Sequence, residues 1–223
     1  MMTRKNIKRN GLLFLAIFFF LISCKNADQK QKGIIKKEEH TLAILPFTGV
    51  DSILLRKIKE GLQSKLSVKI TQLPSAILPG HAFYKPRQRY IADSLLSFLG
   101  KTNNGRFEKI IGITTKDIST RKDPHENWGI FGLGSCPGEA CVISSFRAGR
   151  NKVPGKDFFR RMVTLALHEV GHTYGLQHCP VSNCLMKDAE GKMNLDDGDS
   201  YCGKCNSYLK GKGILSENNT SEK

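Results

Sequence analysis

The segment from His168 to His178 constrains the fold more than any other part of this 223-residue chain. His168 and His172 are four residues apart, so on a helix their imidazoles lie one turn apart on the same face, where two nitrogens can bind one Zn²⁺. Glu169 lies about 100° further around such a helix. Its carboxylate can therefore reach a metal-bound water without being a ligand. The spacing predicts a helix that carries the first part of a metal site.

A third histidine, His178, follows His172 by six residues. On a continuing helix its side chain would point about 240° away from that of His172. Gly175 lies between them, and glycine readily adopts the left-handed conformation that ends a helix, so the chain can turn there and return His178 to the metal. Three neutral ligands with one open position are typical of a catalytic zinc site. The simpler alternative is two exposed helix histidines and a loop histidine that bind no metal.

The first 24 residues have the features of an export signal with a lipid attachment site. Basic residues without any acid precede an unbroken apolar run at 12–22, which is too short to span a bilayer comfortably. The run ends in Leu21-Ile22-Ser23-Cys24, which resembles the lipobox of bacterial lipoproteins, where the chain is cut before the cysteine that receives lipid. An uncleaved anchor helix and an ordinary signal are the alternatives. The lipobox predicts a chain anchored by Cys24 to a membrane of the cell envelope.

The chain is expected to divide into four segments. They are a signal peptide at 1–23, the lipidated cysteine with a flexible tether at 24–40, a globular domain at 41–210 and a disordered tail at 211–223. The formal net charge of +15 suits an anionic lipid surface. No interleaving of aromatic and basic residues favours nucleic acid, so we expect no such partner, and the chain is predicted to be a monomer.

Two pairs of cysteines with short internal spacing follow the histidines. They are Cys179 with Cys184 and Cys202 with Cys205. Such pairs are typical of a closed, tetrahedral zinc site. Because Cys179 directly follows His178, the two side chains are expected to point towards different metals. Two disulfides are the alternative, since export favours oxidation and six of the seven cysteines remain once Cys24 carries lipid.

Strand and helix patterns alternate in the globular part and predict a sheet with helices packed on it, of the α+β class. Predicted strands are Thr41–Pro46, Val68–Leu73, Lys109–Thr115, Trp128–Phe131 and Ala140–Phe146. Predicted helices are one capped by Asp51 that ends near Leu66, one at Arg89–Leu99, and one capped by Asp157 that carries His168. Prolines and a glycine predict a loop over 74–87.

The segment GLGSCPGEAC, between the last two predicted strands, is predicted to be a turn. It contains Gly132-x-Gly134, but no helix pattern follows as a phosphate-binding loop would require. Cys136 and Cys141 lie within it, and in an oxidising compartment their spacing predicts a local disulfide.

The string HEVGHTYGLQHCPVSNCLM, with CGKC downstream, resembles the signature of the archaemetzincins, zinc metallopeptidases of the metzincin clan. That signature is HExxHxxGxxHC-x4-C-x-M followed by CxxC, and every fixed position is present in this chain. The resemblance implies a compact metzincin-like domain with a mixed sheet, packed helices, a zinc-binding active-site helix and a four-cysteine zinc subsite.

The resemblance also implies the roles of the site residues. His168, His172 and His178 would bind a catalytic zinc, Glu169 would be the general base that activates the zinc-bound water, and Met186 would be the Met-turn residue beneath the metal. A second, structural zinc would be bound by Cys179, Cys184, Cys202 and Cys205. The chain would then hydrolyse peptide bonds in a peptide or protein substrate.

Two further points follow from the resemblance. The strand at 142–145 is expected to form a sheet edge that pairs with an extended substrate. Whether cleavage is internal or terminal is left open, because no residue marks a pocket for an N-terminal amine.

The competing function is a lipid-anchored, zinc-stabilised binding protein without catalysis. Such a protein has no chemical need for the carboxylate of Glu169.

Overall fold

The computed structural model describes residues 39–149, 155–188, 198 and 200–215. The predicted signal peptide and Cys24 lie outside these residues. Within the described ranges, no helix is both long enough and apolar enough to cross a membrane.

The described elements follow one another in the order strand, helix, a run of strands, and helices. They are β1 (Thr41–Pro46), α1 (Ser52–Lys65), β2 (Lys69–Gln72), β3 (Phe83–Tyr84), β4 (Arg89–Ile91), α2 (Ala92–Asn103), β5 (Lys109–Thr114), β6 (Ile118–Lys122), β7 (His125–Ile130), β8 (Gly132–Gly134), β9 (Ala140–Ser144), α3 (Ser145–Ala148), α4 (Gly155–Thr173) and α5 (Gly203–Gly211). The predicted strand at β1 and the helix at α1 are confirmed, and the Asp51 carboxylate accepts hydrogen bonds from the N–H groups of Ile53 and Leu54 at 2.8 and 3.1 Å.

Two mixed sheets form the frame, as the α+β prediction required. The larger sheet has the strand order β2-β1-β5-β9-β8, in which the first four strands are parallel and β8 is antiparallel to β9. The smaller sheet has the order β3-β4-β6-β7. Because side chains alternate along a strand, the larger sheet has two buried faces. One packs against α1, α4 and α5, and the other packs against α2.

Helix α2 begins at Ala92, three residues later than predicted. Arg89–Ile91 instead forms strand β4, in which Tyr90 pairs with Phe83 on one side and Ile118 on the other. Tertiary pairing therefore overrides the helical pattern. Helix α4 also differs at its start, since it begins at Gly155 and Asp157 lies in its first turn.

Buried ion pairs join the two sheets. The Asp117 carboxylate, which precedes β6, is 7% exposed and accepts hydrogen bonds from the guanidinium groups of Arg89 at 2.8 Å and Arg147 at 2.7 Å. Arg147 lies in α3, directly after β9. These pairs fix the β6–β7 hairpin in place beside the larger sheet.

The turn predicted over GLGSCPGEAC is shorter than expected: Gly132–Gly134 form strand β8 at the end of the larger sheet, and residues 135–139 form the turn that joins it to β9. As a result, the predicted edge strand at 142–145 is wrong. Val142 and Ile143 lie in β9, which is paired on both sides by β5 and β8. Glycine has a low strand propensity, so the sequence pattern carried no strand signal at this position.

The predicted disulfide between Cys136 and Cys141 is not present, and both residues are free thiols. Cys141 pairs with Gly134 in the sheet, and its side chain is fully buried in the core. The Cys136 thiol instead donates a hydrogen bond to the carbonyl oxygen of Leu176 at 3.2 Å. Strand pairing therefore directs the two side chains into different surroundings, and burial raises the pKa of each thiol.

The predicted boundaries of the tether and of the tail both differ from the structure. Ile214 and Leu215 are buried against the end of α1, and the N–H group of Ser67 donates to the Ile214 carbonyl oxygen at 2.6 Å. His40 bonds through one ring nitrogen to Glu108 and through the other to the Lys212 carbonyl oxygen. Residues 39–40 and 211–215 are thus part of the fold, while 216–223 lie outside the described residues.

Candidate active site

The end of helix α4 brings the three histidines together. Gly175 has φ of +99°, in the left-handed region that glycine adopts readily. The N–H of Gly175 donates to the His172 carbonyl oxygen at 2.8 Å, and the N–H of Leu176 donates to the Gly171 carbonyl oxygen at 3.1 Å. These two bonds form a Schellman motif, which ends the helix and reverses the chain. The predicted turn at Gly175 is present.

One nitrogen from each of His168, His172 and His178 lies within 4.8 Å of the others. The Nε2 atoms of His168 and His172 are 3.0 Å apart. Their Nδ1–H groups donate to the carbonyl oxygens of Leu185 and Leu176 at 2.8 and 2.7 Å. Because a neutral imidazole carries one proton, both Nε2 atoms are left with lone pairs that face each other. A shared cation removes this repulsion, so the donor set fits a metal ion.

The surroundings keep the first two imidazoles neutral. Burial, reinforced by the neighbouring His172, lowers the pKa of His168 to about 3. Burial also lowers the pKa of His172. Neutral imidazoles are the form that binds a metal. The Nδ1 atom of the half-exposed His178 lies 3.5 Å from a carboxylate oxygen of Asp188. A carboxylate partner of this kind is common behind metal-binding histidines, and no sequence pattern had identified Asp188.

The side chain of Glu169 is buried between helix α4 and strand β8. It is 5% exposed, and burial raises its pKa to about 8. A cation held by the adjacent imidazoles favours the ionised carboxylate, which is the form that can accept a proton. The carboxyl group therefore lines the same cleft as the three histidines, in surroundings that hold its pKa above the ordinary range.

Met186, the residue expected in the Met-turn, packs against helix α4 at Gly171, the residue before His172. It is fully buried, and its Sδ atom contacts helix α4 so closely that a Cβ atom at Gly171 would be 2.7 Å away. The preceding residue, Leu185, provides the carbonyl oxygen that orients His168. The turn that contains Met186 thus supports both the helix and one of its imidazoles.

The four downstream cysteines form a second cluster. Their Sγ atoms all lie within 4.8 Å of one another, with Cys179 3.7 Å from Cys202 and Cys184 3.8 Å from Cys205. A tetrahedral zinc ion with Zn–S bonds of about 2.3 Å separates its sulfur ligands by about 3.8 Å. A disulfide requires about 2.05 Å. The geometry fits a metal ion, and the adjacent His178 and Cys179 belong to different clusters, as expected.

A cleft of about 510 Å³ opens onto the histidine site. Helix α4 and strand β8 line one part of it, and the β6–β7 hairpin, with Lys122 and Trp128, lines another. The hairpin wall could not be predicted from the sequence, because β6 lacks an apolar alternation and its place beside the cleft depends on the fold. A cleft of this size that ends at three convergent imidazoles and a carboxyl group can bind and hydrolyse a peptide.

Fold and site are together those of a zinc metallopeptidase. The model of "Peptidase family M54" matches residues 49–211, and the chain belongs to this family. The archaemetzincin of Methanopyrus kandleri is 30% identical over 174 residues, which cover 76% of this chain and 95% of that protein.

Solved archaemetzincin structures are also similar to this chain. The crystal structure of archaemetzincin from Methanopyrus kandleri aligns with a TM-score of 0.65 at 26% identity. The alignment covers 77% of this chain and 94% of the archaemetzincin chain. The structure of archaemetzincin from Archaeoglobus fulgidus, complexed with malonate, aligns with a TM-score of 0.65 at 25% identity. That alignment covers 75% of this chain and 99% of the other. The predicted resemblance to archaemetzincins is confirmed.

Proposed function

We propose that this zinc-dependent peptidase hydrolyses peptide bonds with Glu169 as the general base. The observation that carries the proposal is the position of the Glu169 carboxyl group, which is buried beside His168 and against strand β8. A carboxylate at this point accepts the proton of the attacking water and then gives it to the leaving amine. A single side chain thus serves as base and then as acid.

Two zinc ions per chain complete the proposed enzyme. His168, His172 and His178 would hold the catalytic ion, and the site supports this through its opposed Nε2 lone pairs. When bound, this ion supplies Lewis acidity at the scissile carbonyl and acidifies water. The four-cysteine cluster would hold the structural ion, which the separations of 3.7 and 3.8 Å support. Met186 would act as the Met-turn residue that supports the catalytic site from below.

The substrate is proposed to lie along strand β8. This strand ends the larger sheet within the described residues and lines the cleft. Its outer backbone groups can pair with an extended peptide, as in strand addition to a sheet edge. The peptide would then run past Glu169 and the histidine site. This assignment replaces the edge predicted at 142–145.

The non-catalytic alternative, a zinc-stabilised binding protein, is not favoured. Membership of a peptidase family argues against it. Burial of the Glu169 carboxyl group, which raises its pKa, also disfavours its charged form, and a site with no proton to transfer has no use for such a group.

We also propose that the chain is held at a membrane of the cell envelope by lipid on Cys24. The support is the sequence alone: a basic start, the apolar run at 12–22 and the residues that end at Cys24. Mass spectrometry of the mature chain tests this. A lipid-bearing first residue at Cys24 is expected, and a mature chain that begins elsewhere contradicts the proposal.

Peptide cleavage tests the proposed function directly. The purified chain without its predicted signal is incubated with a diverse peptide library after loading with zinc, after chelation and after zinc is restored. Cleavage that is lost on chelation and recovered with zinc is expected, and the masses of the products show whether the cuts are internal or terminal. A library left intact by the zinc-loaded chain would contradict the proposal.

A further inference from the structure

We propose that Gly132 and Gly134 are positioning residues: because they have no side chains, the Glu169 carboxyl group fits between strand β8 and helix α4 at the histidine site. The catalytic consequence of this packing rests on the proposed role of Glu169 as the general base. The packing of the two glycines against Glu169 does not depend on that role, and it can be tested without any activity measurement.

Strand pairing shows that both glycines face helix α4. In the β8–β9 register, Gly132 is opposite Ile143 and Gly134 is opposite Cys141. Both of these partners belong to the core that packs against α4. Leu133, between the two glycines, packs with the core on the other face of the sheet. The alternation of the strand therefore directs the missing side chains of the glycines towards the helix that carries Glu169.

At Gly132, the missing Cβ is what makes room for Glu169. A Cβ atom built there would be 2.5 Å from Oε1 of Glu169, 2.7 Å from Cγ and 2.8 Å from Cδ. These separations are well inside the 3.5–4.0 Å of an ordinary contact between heavy atoms. Any side chain at Gly132 would therefore displace the carboxyl group from its present position.

At Gly134, the contact is with the backbone of the helix. A Cβ atom there would be 2.7 Å from the carbonyl oxygen of Glu169 and 3.0 Å from the Cβ atom of His172. Neither atom can move without a shift of the helix. Gly134 therefore sets the distance between β8 and the turn of α4 that carries the metal-binding residues, and Gly132 sets the position of the carboxyl group at that distance.

Backbone conformation does not explain these glycines. The described glycines with positive φ are Gly49, Gly105, Gly175 and Gly213. Gly132 and Gly134 are not among them, so residues with side chains could adopt their φ angles. Glycine also weakens a strand. The two glycines are instead explained by the short distance between strand β8 and helix α4, which leaves no room for a Cβ atom.

The experiment is a double-mutant cycle on thermal stability, made with Gly132→Ala, Glu169→Ala and the double variant, all loaded with zinc. In the parent background, Gly132→Ala is expected to lower the midpoint of unfolding by about 5 °C, because it overpacks the contact. In the Glu169→Ala background the same change should cost less than about 1 °C, because the atoms it meets are gone. Gly80→Ala is the control, since nothing lies within 4 Å of a Cβ atom at that position.

Kinetics then connects the packing to catalysis. For Gly132→Ala we expect kcat to fall at least about tenfold, with KM within about twofold and the zinc content unchanged, because the new methyl group points at Glu169 and away from the sheet edge. An equal loss of thermal stability in both backgrounds would overturn the proposed packing. If the stability loss depends on Glu169 but kcat is unchanged, the packing stands and Gly132 is not a positioning residue for catalysis; the Glu169→Gln variant tests the role of the base separately. If Gly132→Ala alone does not fold, recovery of folding in the double variant supports the packing, and a double variant that also fails contradicts it.

Discussion

Replacing Glu169 with glutamine is expected to lower kcat for peptide cleavage by about 10²–10⁴-fold, with the zinc content unchanged. Glutamine has nearly the same shape, so it can occupy the space beside Gly132 and Gly134 that the carboxyl group fills. It cannot accept the proton of the attacking water at neutral pH. Because Glu169 is not expected to be a zinc ligand, the loss should appear in turnover and leave the metal in place.

The measurement is steady-state kinetics on a peptide from the library, with zinc determined per chain in the same samples. Glu126→Gln is a matched control, because Glu126 lies on the β6–β7 hairpin in an exposed pair with Arg121 and does not line the cleft. We expect its kcat to stay within about twofold of the parent, as for an exposed ion pair of little energetic weight. A Glu169→Gln variant that retains a tenth or more of the parent kcat would exclude Glu169 as the base.

Much of the histidine site could be predicted from local spacing. His168 and His172 share a helix face by periodicity alone, and the return of His178 depends on one residue, Gly175, whose φ of +99° is the conformation that glycine favours. The cap of α1 by Asp51 follows for the same reason, since a cap depends on residues within one turn. Features set by neighbours in sequence are the ones that a single sequence reveals.

Features set by distant partners could not be predicted in this way. Gly132-x-Gly134 has the composition of a turn, yet it pairs with β9 as a strand. Its two glycines also leave the space that the side chain of Glu169 and the backbone of α4 occupy. Arg89–Ile91 continues a helical pattern but pairs with β3 and β6. The spacing of Cys136 and Cys141 is compatible with a disulfide, but strand pairing places the Cys141 thiol in the core and the Cys136 thiol against the Leu176 carbonyl oxygen. In each case a contact across the fold outweighed the local preference.

The two clusters are connected through one short turn, and this determines how they depend on each other. Cys184 is a member of the cysteine cluster, Leu185 orients His168 through its carbonyl oxygen, and Met186 packs beneath helix α4. The carbonyl oxygen of Met186 also accepts a hydrogen bond from the N–H of Cys179 at 2.8 Å. A change in the cysteine cluster should therefore reach the histidine site through three consecutive residues.

Replacing Cys205 with serine is accordingly expected to lower the zinc content from the proposed two ions per chain to one or fewer, and to lower the temperature of unfolding by more than about 10 °C. Cys205 is buried, with its sulfur 3.8 Å from that of Cys184, and serine is a poor zinc ligand beside three thiolates. Structural zinc sites contribute directly to folding. Because Leu185 orients His168, peptide cleavage should also fall.

Zinc content, thermal unfolding and cleavage are measured together, with Cys136→Ser as the matched control. Cys136 lines the cleft but lies outside the cluster; its thiol donates a hydrogen bond to the Leu176 carbonyl oxygen and accepts one from the Gln177 side-chain amide. We expect this variant to retain two zinc ions. Alkylation of the denatured parent chain with chelator and without reductant completes the test: zinc binding leaves all four cluster thiols reactive, whereas a parent chain with one zinc ion and four unreactive cluster cysteines contains two disulfides and no structural metal.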